Sequence, residues 1–475
     1  MKIKIIGLFN LFLFVFLFKL NATIILPDIL SDNMVIQQNS KIKLWGIAKT
    51  NTPIFIKVSW LNKTLKCVSK KNGFWEIFIN TLDASFIKQN IEISDGKKLK
   101  IQNILIGEVW LCSGQSNMEM TFKGYKNEPI SEASDYINNS SEESGIRMLN
   151  VQKTSTNLTS TFVKGKWKMS NPQNLSSFSA IGYFFALRMQ KELKVPIGII
   201  NSSYGGSSIE GWLNPSNVEK YSDFDYKTGV LDSMTWRRPY VMFDGMIKPY
   251  SNFTIKGFLW YQGESNVGRY SSYAQKLQDL VYLWRYNFNN VNLPFYVVEI
   301  APFEYPELTE AAKLREAQFK GVNLLLNASF VCTNDLVLES ESKSIHPSQK
   351  KEIGQRLANL ALFNDYHFDS LQSFSPCIEN SIFSKDSIIL SFKNCYNGLL
   401  TNSNFEGFEV ADSSRVFQKT NAFLEADKKT IIILNNDKNF VPVSVRYCFK
   451  NFQIGNVKNS ANLPLIPFRT DNWEN

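Results

Sequence analysis

Hydrophobic and polar positions change their spacing twice along this chain. From residue 23 to residue 103, short apolar stretches such as Pro53 to Trp60 alternate with turn residues, and Lys71-Asn72-Gly73 leads into a further alternating stretch. Asn-Gly between two alternating stretches is typical of a β-hairpin, and no helical period occurs here. The pattern therefore predicts a small antiparallel β domain over residues 23–103.

Residues 104–369 alternate between continuous apolar runs and segments with apolar residues at three- and four-residue steps. Such runs predict buried strands, and the three- and four-residue steps predict amphipathic helices. The predicted strands are 105–112, 197–201, 255–261 and 294–300, and the predicted helices are 180–193, 270–288 and 349–363. This order is typical of an α/β domain, in which helices cover both faces of a parallel sheet.

After residue 370 the strand and turn pattern returns. Three stretches have it, namely 387–392, 430–434 and 443–449. They predict a C-terminal β domain over residues 370–475.

Composition narrows the class of protein. The chain has 475 residues, 44% of them hydrophobic, which is typical of a packed globular protein. Its net charge of +9 is spread over the chain without a basic run, so no nucleic-acid-binding surface is predicted. Six scattered cysteines include no C-x-x-C pair, and Cys377 with Cys395 is the pair to test first for a disulfide bond.

The first 22 residues have the pattern of a secretory signal peptide. Two lysines within Met1 to Lys4 precede an almost entirely apolar run from Ile5 to Leu20. The pattern predicts a secreted, periplasmic or lumenal protein without a stable membrane partner after cleavage. A retained N-terminal anchor is the alternative, although the run is short for a membrane-spanning helix.

Three polar turns each follow a predicted parallel strand, at the sheet edge where α/β proteins bind ligands. The first contains Ser116, a hydroxyl that becomes a nucleophile only if a base takes its proton. The second contains Gly205 and Gly206, which let backbone N–H groups approach an oxyanion, and in the third Gln262 offers an amide donor. The alternatives are an ordinary helix cap at Ser116 or Asn117 and a tight glycine connector.

Only two residues can supply a histidine base. His367 lies at the end of a predicted helix, whereas His346 lies on a polar loop that also contains Glu339 and Glu341. Histidine is the usual general base near neutral pH. If the chain is a serine hydrolase, His346 is therefore the predicted base.

Several motifs together resemble one family. The chain resembles the sialate O-acetylesterase family, within the wider SGNH/GDSL hydrolases, from about residue 24 to residue 473. Gly-Gln-Ser-Asn-Met together with Gln-Gly-Glu-Ser-Asn is specific to this branch. The motifs are Asp32-Asn33-Met34-Val35-Ile36-Gln37-Gln38, Gly107 to Met118, Ile200-Asn201-Ser202-Ser203-Tyr204-Gly205-Gly206, Trp260-Tyr261-Gln262-Gly263-Glu264-Ser265-Asn266, Ile345-His346-Pro347 and Pro467-Phe468-Arg469-Thr470-Asp471.

The resemblance implies a flavodoxin-like SGNH domain flanked by β domains, and hydrolysis of O-acetyl esters on sugars, with sialic acid as the namesake substrate. It implies that Ser116 is the nucleophile and His346 the base. It further implies an oxyanion hole formed by the N–H groups of Ser116 and Gly206 (or Gly205) with the amide of Gln262. Neither a metal nor a cofactor is required.

The third triad residue departs from the family pattern. SGNH enzymes usually place an aspartate three residues before the histidine, where this chain has Lys343, and position 344 is a serine where many relatives have aspartate. The carboxylate that orients the imidazole is therefore sought nearby. Glu341 is the first choice, followed by Glu339 and Asp335.

Substrate recognition is expected from polar side chains near the turns, namely Asn117, Asn201, Glu264, Arg237 and Arg238. An arginine fork at Arg237 and Arg238 suits the carboxylate of a sialic acid, and a solvated or structural arginine pair is the alternative. Acetylated xylan or another glycan is an alternative substrate. A non-catalytic glycan-binding protein with a decayed SGNH core is the alternative from another class, and the oligomeric state stays open.

Overall fold

The computed structural model describes residues 24–154, 162, 164–307, 309–400 and 405–474. The predicted signal peptide over residues 1–22 lies outside these residues and stays a prediction. Among the residues that are described, no helix is both long and apolar enough to cross a membrane. All six cysteines, including Cys377 and Cys395, are free thiols.

The N-terminal region consists mainly of antiparallel strand pairs, as the alternating pattern predicts, and β1 pairs with β7 in parallel. Strand β2 pairs with β5, β3 pairs with both β4 and β6, and β6 pairs with β7. The strands are β1 (Val35–Gln37), β2 (Lys41–Ile47), β3 (Pro53–Val58), β4 (Thr64–Val68), β5 (Phe74–Asn80), β6 (Ser85–Ser94) and β7 (Lys98–Gly114).

One local prediction in this region is wrong. The Lys71-Asn72-Gly73 segment does form a tight turn, in which Gly73 has φ +81° and its N–H donates to the Lys70 carbonyl. The strands on either side do not form a hairpin, because β4 pairs with β3 whereas β5 pairs with β2. Burial of apolar side chains against different partners outweighs the preference of the turn.

The middle of the chain alternates strands and helices. Its strands are β8 (Ile146–Asn150), β9 (Trp167–Met169), β10 (Ile197–Ser203), β11 (Gly257–Tyr261), β12 (Phe295–Val298) and β13 (Ala328–Val331). Its helices are α1 (Ser116–Glu119), α2 (Ala133–Asn138), α3 (Pro172–Leu175), α4 (Ala180–Leu193), α5 (Pro215–Val218), α6 (Tyr226–Gly229), α7 (Tyr273–Asn287), α8 (Glu310–Asn323) and α9 (Lys350–Tyr366). The sequence pattern predicts α4, α7 and α9 but misses α8, β8 and β13.

The strands of this region form one sheet in the order β13-β12-β11-β7-β10-β8-β9. Every pair is parallel except that of β8 with the edge strand β9. From β10 to β13 the order is the flavodoxin-like one, and β8 and β9 extend its edge. The predicted α/β class and flavodoxin-like arrangement are therefore confirmed.

Helices cover both faces of the sheet because each buries one apolar side. On one face α4 and α9 pack with Ile181, Phe185 and Leu357 among the buried residues. On the other face α7 and α8 pack, and α7 buries Leu277 and Trp284. Since β7 extends from the N-terminal strands into the centre of this sheet, it joins the first two regions in one continuous strand.

The C-terminal region is again β-rich and has its own apolar core, which includes Leu390, Ile431 and Val445. The predicted domain boundaries at residues 103 and 369 stay predictions. The strands are β14 (Cys377–Phe383), β15 (Ser387–Lys393), β16 (Leu399–Leu400), β17 (Phe408–Ala411), β18 (Gln418–Lys419), β19 (Phe423–Leu424), β20 (Thr430–Leu434), β21 (Ser444–Tyr447), β22 (Lys458–Asn459) and β23 (Phe468–Arg469).

Candidate active site

Ser116 lies at the carboxyl end of the central strand β7, as the first residue of α1. The chain can turn sharply here because Gly114 has φ +137°, and a Cβ atom at this position would lie 2.0 Å from the carbonyl oxygen of Tyr261 on β11. Only glycine fits so close to a neighbouring strand in this conformation. The turn leaves the Ser116 side chain partly exposed at the sheet edge.

The structure brings Ser116 and His346 together although 230 residues separate them in sequence. The Oγ atom of Ser116 lies 2.8 Å from Nε2 of His346. The imidazole is partly buried and lies beside the ring of Tyr125, with 4.8 Å between ring centroids. This arrangement allows a proton to pass from the hydroxyl to the ring nitrogen.

The carboxylate on the other side of the imidazole is Glu128, and the prediction of Glu341 is wrong. Oε2 of Glu128 lies 2.7 Å from Nδ1 of His346, and its Oε1 accepts a hydrogen bond of 3.2 Å from the Ser344 hydroxyl. Glu128 ends a tight loop, in which it exchanges backbone hydrogen bonds with Tyr125. Because Ser344 has a short side chain, the Glu128 carboxylate has room between Ser344 and the imidazole.

None of the three carboxylates predicted for this position bonds the imidazole. Glu341 accepts hydrogen bonds from the backbone N–H groups of Ser348 and Leu338, so it fixes the loop rather than the ring. Glu339 is exposed. Asp335 forms two hydrogen bonds of 2.8 Å with Arg356, so its charge is already compensated.

Burial and neighbouring charges set the protonation of His346. Burial lowers the pKa of His346, because the charged imidazolium loses hydration, whereas the hydrogen bond and charge of Glu128 favour the charged form. The ammonium of Lys350 opposes the imidazolium and adds to the lowering. The net direction is a lowered pKa, so the imidazole is neutral over most of the neutral range and can accept a proton.

The two glycines of the second turn differ in their N–H groups. The N–H of Gly205 donates to Oε2 of Glu119 at 2.6 Å, so the alternative that placed Gly205 in the oxyanion hole is wrong. Within the described part of the chain, the N–H groups of Ser116 and Gly206 have no acceptor. Gly206 has φ +77°, a conformation that glycine adopts without strain. Ser116 and Gly206 are therefore the available pair of backbone donors.

Gln262 is not available as a third donor, contrary to prediction. Its side chain is fully buried, and Nε2 lies 3.1 Å from Oε1 of Gln115, 3.2 Å from the carbonyl oxygen of Ser207 and 2.8 Å from Oδ1 of Asn266. Tyr273 donates to its Oε1. The amide therefore ties the third turn to the first two and has no donor left for a substrate.

The predicted substrate contacts of Asn117, Glu264 and Asn201 are also wrong. Asn117 and Glu264 lie beneath the site, where Nδ2 of Asn117 donates to Oε1 of Glu264 at 2.5 Å. Asn201 lies in β10 and donates to Asn150 at 3.0 Å. Polar side chains next to an active-site turn can point into the protein as well as outward, and sequence spacing does not distinguish the two.

A cavity of about 440 Å³ adjoins the second and third turns. Its lining residues are Gly206, Ser208, Phe224, Gly229, Asp232, Trp236, Arg237, Ser265 and Arg269. The two predicted arginines separate here, because Arg237 lines the cavity whereas Nε of Arg238 donates to the carbonyl oxygen of Asp232. Arg269 supplies the second cation of the cavity, so a fork of adjacent arginines is not formed.

Two residues that sequence reasoning missed matter most for the site. Glu128 is 218 residues from His346 and belongs to no recognised motif, so no signal in a single sequence identifies it. Lys350 follows His346 by four residues and lies within the predicted helix 349–363, where its sequence position indicates no role in the site. Its Nζ lies 2.5 Å from Oδ1 of Asn117, and its side chain is fully buried.

Comparison with known proteins identifies the family of this chain. Residues 106–362, more than half of the chain, match the family model described as carbohydrate esterase, sialic acid-specific acetylesterase. The crystal structure of a carbohydrate acetylesterase from Xanthomonas citri is similar, with a TM-score of 0.85 and 27% sequence identity. That similarity covers 95% of this chain and 100% of the other.

Curated relatives are similar over shorter stretches. The human sialate O-acetylesterase is 27% identical over 285 residues, which are 55% of this chain and 52% of the human protein. The rat sialate O-acetylesterase is 24% identical over 389 residues, which are 68% of this chain and 70% of the rat protein. The match to the human and Pongo abelii proteins thus spans about half the length of each.

Proposed function

Because the chain belongs to the carbohydrate esterase family of sialic acid-specific acetylesterases, we propose that it is a serine esterase that hydrolyses O-acetyl esters on sugars. The observation that carries this proposal is the hydrogen-bonded series Ser116–His346–Glu128, with distances of 2.8 and 2.7 Å. A hydroxyl, an imidazole and a carboxylate in this order supply nucleophile, base and orienting group.

In the first half of the reaction, Oγ of Ser116 attacks the acetyl carbonyl carbon while Nε2 of His346 takes the hydroxyl proton. The carbonyl oxygen becomes an oxyanion, which the N–H groups of Ser116 and Gly206 stabilise. The C–O bond to the sugar then breaks, and the imidazolium returns its proton to the departing sugar oxygen. The products are a sugar alcohol and an acetyl-serine.

In the second half, His346 takes a proton from water, and the resulting hydroxide adds to the acetyl-serine carbonyl. The oxyanion again lies between the two N–H groups, and collapse releases acetic acid as Ser116 regains its proton from the imidazolium. Glu128 accepts the hydrogen bond from Nδ1–H throughout, which keeps Nε2 free to accept protons.

Within this activity we favour a carboxylated sugar such as a sialic acid. The cavity beside Gly206 is lined by Arg237 and Arg269, and guanidinium groups suit a carboxylate. Trp236 lines the same cavity and offers a flat face to a sugar ring. Arg269 already lies 3.5 Å from Glu210, so Arg237 is the guanidinium that acetylated xylan, which is uncharged apart from its substituents, would leave without a substrate carboxylate.

The activity is tested by comparing the wild-type protein with Ser116→Ala on p-nitrophenyl acetate and on O-acetylated sialic acid. We expect the substitution to lower kcat by about 10⁴- to 10⁶-fold without unfolding the chain. Fluorophosphonate probes should label the wild type at Ser116 and leave the variant unlabelled. A folded wild type that neither labels nor releases acetate would favour the alternative, a non-catalytic glycan-binding protein.

The substrate is tested by the ratio of kcat/KM for acetylated sialic acid to that for acetylated xylan. Arg237→Met should lower this ratio about tenfold, because one charged hydrogen bond is lost. Lys220→Met is a matched control, since Lys220 pairs with Asp279 on the surface. A higher kcat/KM for xylan in the wild type would reject the sialic acid assignment and keep the esterase.

We propose from the N-terminal pattern that the mature protein is exported. The support is the charged and apolar run within residues 1–22. N-terminal sequencing of the protein from its source should give a mature chain that begins near Thr23, and an intact Met1 would contradict export by cleavage.

A further inference from the structure

Lys350 is a buried cation without a carboxylate in direct contact. It is the first residue of α9 and its side chain is fully buried. Among the described residues its Nζ bonds only Oδ1 of Asn117, at 2.5 Å, and no carboxylate lies within ion-pair distance. Lysine is almost never buried in this way unless it is paired, because desolvation of the ammonium is costly. The position therefore calls for an explanation beyond packing.

Asn117 connects Lys350 to the turn of the nucleophile, the loop of the base and the third turn. It directly follows Ser116, and its Nδ2 donates to Oε1 of Glu264 at 2.5 Å and to the carbonyl oxygen of Ile345 at 3.0 Å. Ile345 directly precedes His346. The amide of Asn117 lies on the turn that carries the nucleophile and hydrogen-bonds the loop that carries the base. It also hydrogen-bonds Glu264, which lies on the third turn.

Lys350 and the two acceptors together fix which way this amide points. An ammonium has only donors, so the oxygen of Asn117 must face Lys350 and its nitrogen must face the carboxylate and the carbonyl. Without the ammonium, the Asn117 oxygen would be a buried acceptor without a donor, and only Glu264 and the Ile345 carbonyl would hold the amide. The contact that joins the Ser116 turn to the His346 loop would then be weakened.

The ammonium also lies within the charge environment of the imidazole. Carboxylates of Glu264, Glu341 and Glu128 act on Lys350, and Glu128, Glu119 and Lys350 act on His346. A positive charge near an imidazole disfavours protonation of the ring. Burial lowers the pKa of Lys350 to about 7, so its charge is present at the acidic pH values at which His346 would otherwise take up a proton.

We propose that Lys350 is a positioning residue of this esterase, which holds the Ser116 turn against the His346 loop through Asn117 and favours the neutral imidazole by its buried charge. The proposal rests on the proposed esterase activity for its kinetic consequences. A residue that only stabilises the fold would change the amount of active protein and leave the pH dependence of each active molecule unchanged.

The test compares Lys350→Met, Lys350→Arg and the control Lys351→Met, whose lysine forms a surface pair with Glu132 at 2.6 Å. We expect Lys350→Met to lower kcat about 100-fold on p-nitrophenyl acetate, with KM changed much less, because the reacting groups are misplaced. Its acidic limb of kcat/KM should move to higher pH. Lys350→Arg keeps the charge and should keep the limb at its wild-type position, and Lys351→Met should match the wild type.

A Lys350→Met variant that folds, and whose acidic limb stays at the wild-type position, would overturn the proposal. If that variant does not fold, Lys350→Arg is the deciding variant. Its larger head group should lower kcat, while the acidic limb of kcat/KM stays at the wild-type pH. Wild-type kcat in the arginine variant would then contradict the positioning role.

A second measurement does not depend on activity. The chain has only two histidines, so a His367→Asn background leaves His346 as the single imidazole in a ¹⁵N titration. We expect Lys350→Met to raise the titration midpoint of His346, and Lys350→Arg to leave it near the wild-type value. An unchanged midpoint in the methionine variant would reject the proposal. Absence of esterase activity in the wild type would instead reject the proposed function.

Discussion

Two pairs of a basic and an acidic side chain in this molecule have the same separation between their polar atoms but different surroundings. His346 and Glu128 approach to 2.7 Å, and so do Lys276 and Glu210. The side chains of the first pair are 16% and 25% exposed, whereas both side chains of the second are 0% exposed. The first pair lies at the edge of a cleft, and the second lies under the polar turns.

The two pairs also differ in the other polar groups that contact them. Both carboxylate oxygens of Glu210 also accept hydrogen bonds from Nδ2 of Asn266, and Arg269 lies 3.5 Å away. His346 instead keeps one ring nitrogen for the Ser116 hydroxyl. The buried pair is closed to further chemistry, while the cleft pair has one side on which a proton can move.

The charges of the two pairs respond differently to burial. Burial alone would raise the pKa of Glu210, but the cations of Lys276 and Arg269 outweigh it and lower the pKa to about 2. At His346 burial is the larger influence, and the pKa is lowered although Glu128 opposes it. A fully buried pair thus fixes its charges, whereas a partly exposed pair leaves a base that can still exchange its proton.

The largest expected effect comes from breaking the cleft pair. Glu128→Gln should lower kcat about 10⁴-fold, because glutamine no longer fixes the imidazole tautomer. The chain should stay folded, since the pair is partly exposed. Kinetics with p-nitrophenyl acetate measure kcat, and near-ultraviolet circular dichroism shows whether the chain stays folded. Glu341→Gln is the matched control and should change kcat less than tenfold.

The same comparison can be sharpened by moving the carboxylate. Ser344 donates to Glu128, so an aspartate at position 344 would lie near the space that the Glu128 carboxylate occupies. Ser344→Asp in the Glu128→Gln background should recover part of the lost kcat. A Glu128→Gln variant with wild-type kcat would show that His346 needs no carboxylate.

The next effect in size comes from breaking the buried pair. Lys276→Met should lower the free energy of unfolding by about 3–5 kcal/mol, because Glu210 is left as a buried charge without its main partner. Urea denaturation measures the change. The control Lys220→Met removes the surface pair with Asp279, where Lys220 is 55% exposed, and should cost about 1 kcal/mol or less. Equal losses of unfolding free energy in the two variants would contradict the conclusion that burial makes the Lys276–Glu210 pair more important for stability.

The smallest of these effects is the dependence of the wild-type free energy of unfolding on acidic pH. Because the folded pKa of Glu210 is about 2 and the unfolded value is about 4.5, the pair contributes stability above pH 4.5 and loses it as pH falls toward 2. The loss should be about 3 kcal/mol over this range. Urea midpoints measured between pH 6 and pH 2.5 test it, with Lys276→Met as the control that should fall less steeply.

Much of the architecture follows from local pattern. Helix α4 has the predicted bounds, Ala180 to Leu193, because its apolar residues recur at helical steps and Ser179 caps its N-terminus. Predicted strands at β7, β10, β11 and β12 lie in one parallel sheet. The short strands β8 and β13 and the polar helix α8 carry weaker patterns, and their burial depends on neighbours that a single sequence does not identify.

Sequence by itself determined where the site lies and which two groups meet there, because buried strands in a parallel sheet bring their following turns to one edge and the chain has only two histidines. Only the tertiary structure decided which carboxylate orients the imidazole, and which polar side chains of the turns point inward. Glu128, Gln262, Asn117 and Lys350 each have a partner that is 147 to 233 residues away in sequence. Those contacts depend on how whole helices, strands and loops pack together, and the local spacing of residues in the sequence does not determine that packing.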